Sequence, residues 1–290
     1  MVPLTPAPGN GVHGLIHLAV PNLIGKEAEY AAHAIARGYI GPGGPFVEKF
    51  EAMVAKASGR KWAVATITGS AALHAAATVL GFAGKTIVVE THAFPAAANV
   101  FRQLGCNLEG IDGGWDHDWA VYRPRNTWLG LADRAPAIGE KSMHAILECY
   151  SFAANKVVTC GHGGAIVGDD ADMEKSLRVI VHQGRNRSGI YNYRMADINA
   201  AIGCAQMERL DELKAAKRRI WQRYADAGLP MMKRGASRWM ATITRQLPLD
   251  ALAEMGIEAR HECGGTSLPC STGITEAELE AVIRACGRFS

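Results

Sequence analysis

Between residues 62 and 111 the chain alternates short apolar runs with Ala-rich helical stretches, and this alternation restricts the fold more than any other feature of the sequence. Residues 62–67 read as a strand, Thr68-Gly69-Ser70 as a turn and 71–80 as a helix. A strand at 86–90, a helix running from THAFPAAAN to about residue 104, and a strand at 107–111 follow. Strands and helices in this order predict parallel strands joined by crossover helices, hence an α/β fold with a mainly parallel sheet flanked by helices. Upstream, residues 1–25 are rich in Pro and Gly and read as an arm. Residues 26–37 predict a helix closed by Gly38, 38–45 a turn-dense loop, and 46–57 a helix with apolar residues at helical spacing. A buried strand is expected at 127–132, ending at Asp133.

Three places carry candidate chemistry. A strand, a Gly-Ser turn and a helix start present free backbone N–H groups and the positive end of a helix dipole. Gly69, Ser70 and Ala71 would therefore suit a phosphate, with the Ser70 hydroxyl as a further donor; the same residues also read as an ordinary N-cap. Asp133, at the C-terminal end of a strand, lies where open α/β sheets place ligands, and is equally compatible with a turn or cap aspartate. Lys156 sits in the middle of ECYSFAANKVVTCGHGGAIVGDD, residues 148–170, which reads as two short buried strands joined by a loop holding Gly161, Gly163 and Gly164. Loss of water around its ammonium would favour the neutral amine that a Schiff-base lysine requires, whereas an ordinary loop lysine would reach into solvent.

Beyond Asp170 a helix is expected to about His182, then a basic loop containing Arg185 and Arg194, then a long amphipathic helix from Ala196 that Gly203 interrupts. The charged run 208–223 reads most simply as a solvated helix face. A small C-terminal α+β domain follows, with strands near 238–243 and 257–261 and helices near 247–255 and 275–286. The domain division is thus 1–224, a large domain with its N-terminal arm, and 225–290, a small one.

Composition narrows the functional class. Of the 290 residues 48% are hydrophobic and 20% charged, as in ordinary globular proteins, and a net charge of +3 neither demands nor excludes a nucleic-acid substrate. Seven scattered cysteines without a C-x-x-C pair do not make a disulfide framework or a zinc ribbon. Cys160 and His162 flank Gly161 but have no partners at metal spacing, so no metal is expected. No signal peptide or membrane span is legible, and the chain reads as cytoplasmic. CGHGGAIVG fails the G-x-G-x-x-G pattern because position 166 is Ile.

An anion site, a strand-end carboxylate and a later buried lysine, in that order, suit pyridoxal 5'-phosphate, which needs a phosphate cradle, a carboxylate on its pyridine nitrogen and an amine for its aldehyde. Here the sequence resembles the DegT/StrS-type nucleotide-sugar aminotransferases, pyridoxal-phosphate enzymes of fold type I. The likeness runs from ARGYIGPGGPFVEKFEAMVAKASGRKWAVATITGSAALHAA through THAFPAAAN, LADRAPAIG, SFAANKVVTCGHGGAIV and YNYRMADINAAIGCAQMERL to the C-terminal segments LPLDALAEMGIEARH and TSLPCSTGITEAELEAVI. The resemblance implies that Phe94 stacks on the cofactor ring, Asp133 meets its nitrogen, Ser151 touches its phosphate and Lys156 takes its aldehyde. It further implies a homodimer with shared sites, in which Asn192 reaches the neighbour's phosphate.

Two departures stand out. The family motif continues Asp-x-Ala-Gln or His, whereas Asp133 is followed by Arg134, Ala135 and Pro136. The chain is also short, with no apparent room between Ile111 and Asp133 for the family's usual extra strand and helix. The expected activity is transamination from a donor such as glutamate to a keto group, by resemblance on a nucleotide sugar. The alternatives are a lyase or decarboxylase acting on an amino-acid group of a larger molecule, such as a modified nucleic-acid base, and a non-catalytic regulatory protein that binds the cofactor.

Overall fold

A computed structural model describes residues 14–90, 95–111, 120–125, 130–140, 145–182, 191–232, 238–262 and 264–289. These divide into one unit of residues 25–210 and a second of residues 14–24 with 211–289.

The first unit opens with α1 (Glu27–Ala36), followed by Gly38 at φ 75°, and α2 (Pro45–Ser58), ended by Gly59 in the left-handed conformation. Then come β1 (Trp62–Thr66), α3 (Gly69–Val79), β2 (Thr86–Glu90), α4 (Pro95–Gln103), β3 (Asn107–Ile111), β4 (Ala120–Pro124), β5 (Leu131–Asp133), β6 (Leu147–Ser151), β7 (Gly164–Gly168), α5 (Ala171–Val181) and α6 (Asp197–Glu208). The sheet order is β1-β7-β6-β5-β4-β2-β3. The pairings make β1, β6, β5, β2 and β3 point one way while β7 and β4 run against them, so the sheet is mixed but mostly parallel in strand direction. One face carries the main apolar core, in which Leu73, Phe82, Phe101, Tyr122, Leu131, Leu147 and Ile166 pack together.

The expectation that no strand fits between Ile111 and Asp133 is corrected by β4. It lies antiparallel between β2 and β5. The physical reason is connectivity: parallel neighbours need a crossover of a dozen or more residues, whereas antiparallel ones can be joined by a short link such as that from Pro124 to Leu131. Reversing one strand lets a shortened chain keep a continuous sheet. The expected strand start at Thr127 lies outside the described residues, and β5 is described from Leu131.

Gly203 does not interrupt the long helix; the break is at Arg209, the C-cap of α6. Gly203 serves packing instead. A Cβ there would stand 2.5 Å from Cys160 Sγ and 2.7 Å from Phe50 Cε2, both in buried residues. Replacing Gly203 with alanine is expected to cost about 1–3 kcal/mol by overpacking, despite alanine's better helix propensity, measurable as a lowered midpoint of denaturant unfolding.

The second unit contains α7 (Leu210–Asp226), β8 (Ala241–Ile243), α8 (Leu249–Glu254), β9 (Arg260–Glu262), β10 (Gly265–Leu268) and α9 (Glu276–Gly287). Its sheet is antiparallel in the order β8-β10-β9. The strand expected at 257–261 lies later, at β9, and β10 was not anticipated. Ile257 instead bridges Ile16, and the segment from 14 onward is tied down by Ile16 N–H to the Gly256 carbonyl (2.7 Å) and Cys270 N–H to the Leu18 carbonyl (2.8 Å). Thr275 and Glu278 form a reciprocal capping box at the start of α9.

The charged run is not wholly solvated. Lys217 is 3% exposed, and its ammonium donates to the carbonyls of Trp239 (2.9 Å) and Cys270 (2.7 Å). Its aliphatic stem runs through the core while its head joins two segments of the unit. Lys217→Ala is expected to lower stability by about 2 kcal/mol, because the buried Cys270 carbonyl and the half-buried Trp239 carbonyl lose their lysine donor; calorimetric melting checks this.

Candidate active site

The C-terminal ends of β1, β5 and β6 bring the candidate segments together. Thr68, in extended backbone, is the N-cap of α3 and its Oγ1 accepts from Ala71 N–H at 3.0 Å. The cap is therefore Thr68 and not Ser70. Ala71 is buried with its N–H engaged, while the N–H groups of Gly69 and Ser70 lie in the first turn, where a helix offers no internal acceptor. Ser70 itself is exposed.

Glycines allow this turn to approach the neighbouring strands. A Cβ on Gly69 would stand 2.9 Å from Ser151 Cβ and 3.2 Å from Ser151 Oγ. Gly164, the first residue of β7, pairs with both Thr66 and Ser151. A Cβ there would collide with the Thr68 carbonyl and lie 2.7 Å from Gly69 N. Ser151 thus faces the α3 turn across a gap that only glycine leaves open. Gly164 thus belongs to β7 and not to the loop that the sequence predicts; the signal is its place in a Gly-Gly pair directly before an apolar strand.

Asp133 ends β5 opposite Cys149 of β6, and its Oδ1 accepts from Ala135 N–H at 3.0 Å. Burial pushes its carboxyl up, while the Ala135 N–H and the positive charge of Lys156 draw it back. Lys156, 23 residues later in sequence, is therefore within electrostatic reach of Asp133. The lysine is partly buried in the turn after β6, where its N–H donates to the Ala153 carbonyl at 3.0 Å. The loop closes on itself through Cys160 N–H to the Phe152 carbonyl (2.9 Å) and is held from α6 by Asn199 Nδ2 on the Cys160 carbonyl (2.7 Å). Sequence reading missed Asn199. Cys160 is buried, and burial first, with nearby Cys204, pushes its thiol well up. Among the described residues no group of three or more His, Cys, Asp or Glu side chains could hold a metal ion.

Asn192 is exposed, bridges His182, and its Oδ1 accepts from Arg194 Nε at 3.1 Å. Its segment lies along the end of β1, where Ile67 N–H donates to the Tyr193 carbonyl at 2.8 Å. Phe94 lies outside the described residues. Chemically, these elements offer the first-turn N–H groups of Gly69 and Ser70 with the Ser151 hydroxyl beside Gly69, and a carboxylate within electrostatic reach of an amine. Such a set fits a phosphorylated heterocycle bearing a basic ring nitrogen and an aldehyde.

Comparison with known proteins identifies the family and the fold. The model of the family described as "DegT/DnrJ/EryC1/StrS aminotransferase family" matches residues 22–112 and 130–234. The unmatched interval between them contains β4. GDP-perosamine synthase of Caulobacter vibrioides is 28% identical over an alignment covering 93% of this chain and 97% of that protein. Among solved structures, DesI in the presence of its TDP-sugar product superposes with a TM-score of 0.80 at 18% identity, covering 97% of this chain and 94% of that one. The PLP form of a Streptococcus pneumoniae protein described as a candidate sugar aminotransferase gives a TM-score of 0.81 at 16% identity, covering 93% of this chain and 97% of that one.

Proposed function

The chain belongs to the DegT/DnrJ/EryC1/StrS aminotransferase family, and from that premise we propose that it transfers an amino group, with pyridoxal 5'-phosphate, from a donor such as glutamate to a keto group on a nucleotide-linked sugar. The observation that carries this reading is the register: Asp133 pairs with Cys149 of β6, two residues from Ser151 beside the Gly69 turn, and lies within electrostatic reach of Lys156. The sugar acceptor is supported by the printed names of the relatives, one a GDP-sugar enzyme and one solved with a TDP-sugar product.

When bound, the cofactor supplies an aldehyde that takes up the amino group and a ring that withdraws electrons from the donor's Cα. The N–H groups of Gly69 and Ser70, with the hydroxyls of Ser70 and Ser151, would hold the phosphate. Asp133 would keep a proton on the pyridine nitrogen, and that cationic partner would offset the burial that now raises its carboxyl. Lys156 Nζ would act as general base and acid, taking the donor's Cα proton and returning it at the former aldehyde carbon. Phe94 would stack on the ring.

Asn192, exposed at the edge of the unit, would serve the phosphate of a second copy, making the working form a homodimer with shared sites. Ile35, Tyr39 and Ile40, large apolar residues exposed on the same unit, support a surface that a second copy covers. No helix among the described residues is long and apolar enough to cross a membrane, and a cytoplasmic setting suits the free buried thiols. Incubating the cofactor-loaded protein with glutamate tests the activity. Stoichiometric 2-oxoglutarate with conversion of the cofactor to its amine form is expected. Absence of both products from a cofactor-loaded protein would instead favour the lyase alternative.

A further inference from the structure

Directly behind Asp133 lies a buried charged cluster that the proposed chemistry does not use. Successive residues at a strand end point to opposite faces, so Arg134 turns away from Asp133. Its side chain is 1% exposed and its Nε lies 3.2 Å from Oε2 of Glu148, which is 0% exposed. Tyr150 donates its hydroxyl to the same oxygen at 3.0 Å, and Arg60 approaches the other carboxylate oxygen at 3.6 Å. Burial, then the Glu148 carboxylate, pushes the Tyr150 hydroxyl well up and keeps it a donor. The backbone is held as firmly: Arg134 N–H donates to the Cys149 carbonyl at 2.7 Å, its carbonyl accepts from Ala137 N–H at 2.9 Å, and its guanidinium donates to the Glu140 carbonyl at 3.2 Å.

Stability alone does not account for such a cluster, since well-packed apolar side chains usually replace a buried ion pair at no loss. Its location does account for it. β5 is only three residues long, Asp133 is its last residue, and Pro136 stands where the family motif has Gln or His. A strand this short offers few ladder bonds to fix the aim of its terminal side chain.

We propose that the buried Arg134–Glu148 pair, with Tyr150, is a positioning device that locks the end of β5 and so holds the Asp133 carboxylate toward the cofactor's ring nitrogen. The inference rests on the function proposed above and concerns how this chain compensates for its trimmed surroundings. The Glu148 carboxylate holds the guanidinium by charge, since Arg134 Nε makes no hydrogen bond, and the Arg134 backbone transmits that hold to the adjacent Asp133.

The test uses the full-length, cofactor-loaded protein and reads the pH midpoint of the bound cofactor's visible band together with the rate of the glutamate half-reaction. Glu148→Gln is expected to move that midpoint by about one pH unit and to slow the half-reaction on the order of 10²-fold through misplacement of Asp133. The double variant Arg134→Met with Glu148→Leu removes both charges while filling the space, and decides the matter if the single variant fails to fold. It is expected to fold, with a lowered melting temperature because Tyr150 loses its acceptor, and to keep the shifted midpoint and slow rate. Lys217→Ala, destabilised in the other unit, should leave the midpoint in place. A double variant with wild-type midpoint and rate would overturn the proposal and reduce the pair to packing. Absence of any visible band, and of any borohydride-trapped Lys156, in the wild-type protein would instead remove the functional reading and this inference with it.

Discussion

Replacing Lys156 with alanine should leave a folded protein whose turnover falls by at least about 10⁴-fold, the upper range for loss of a positioned general acid-base, with the covalent hold on the cofactor lost as well. The backbone of the turn does not depend on the side chain: Lys156 N–H bonds to the Ala153 carbonyl, and the loop is closed by Cys160 and Asn199. The loss should therefore appear in kcat for 2-oxoglutarate release and not in the melting temperature. Normal turnover by this variant would show that another group moves the proton.

Asp133→Asn should lower kcat by about 10³-fold, the scale on which removal of one preorganised electrostatic group acts. The amide keeps the shape and can still accept the Ala135 N–H through its oxygen, so the turn after β5 persists. What it loses is the negative charge that would hold a proton on the ring nitrogen. Single-turnover kinetics with glutamate, alongside cofactor titration, separates the effects: the rate should collapse while cofactor affinity changes by far less. A variant that binds the cofactor poorly yet turns over at the normal rate when saturated would assign Asp133 to binding alone.

Much of this was legible because periodicity is local. The strands at 62–66, 86–90 and 107–111, the helix after the Gly-Ser turn and the lysine loop between two buried strands each announce themselves within a few residues. β4 did not, because AVYRP offers five residues with an Arg and a terminal Pro, weak evidence for an interior strand. Its antiparallel direction is set by the length of the links on either side, which no single segment records. β10 is shorter still, four residues and half polar, GTSL, and owes its place to pairing with β8 on one side and β9 on the other.

The site shows the same division. The order of Gly-Ser turn, strand-end carboxylate and lysine loop is local and legible, whereas which residue caps α3 is not, since Thr68 and Ser70 both carry a hydroxyl at the turn and only backbone geometry chooses Thr68. Lys217 and Arg134 were read as surface charges or as a motif defect because their partners, the Trp239 and Cys270 carbonyls and the Glu148 carboxylate, are remote in sequence. A buried charge is defined by what folds around it, and hydropathy patterns do not carry that information.

The central claim is covalent and can be read by mass. Loading the protein with pyridoxal phosphate, reducing with borohydride and mapping the peptides should place the added cofactor mass on Lys156. Finding that mass on a different lysine, or on none, would contradict the account at its root.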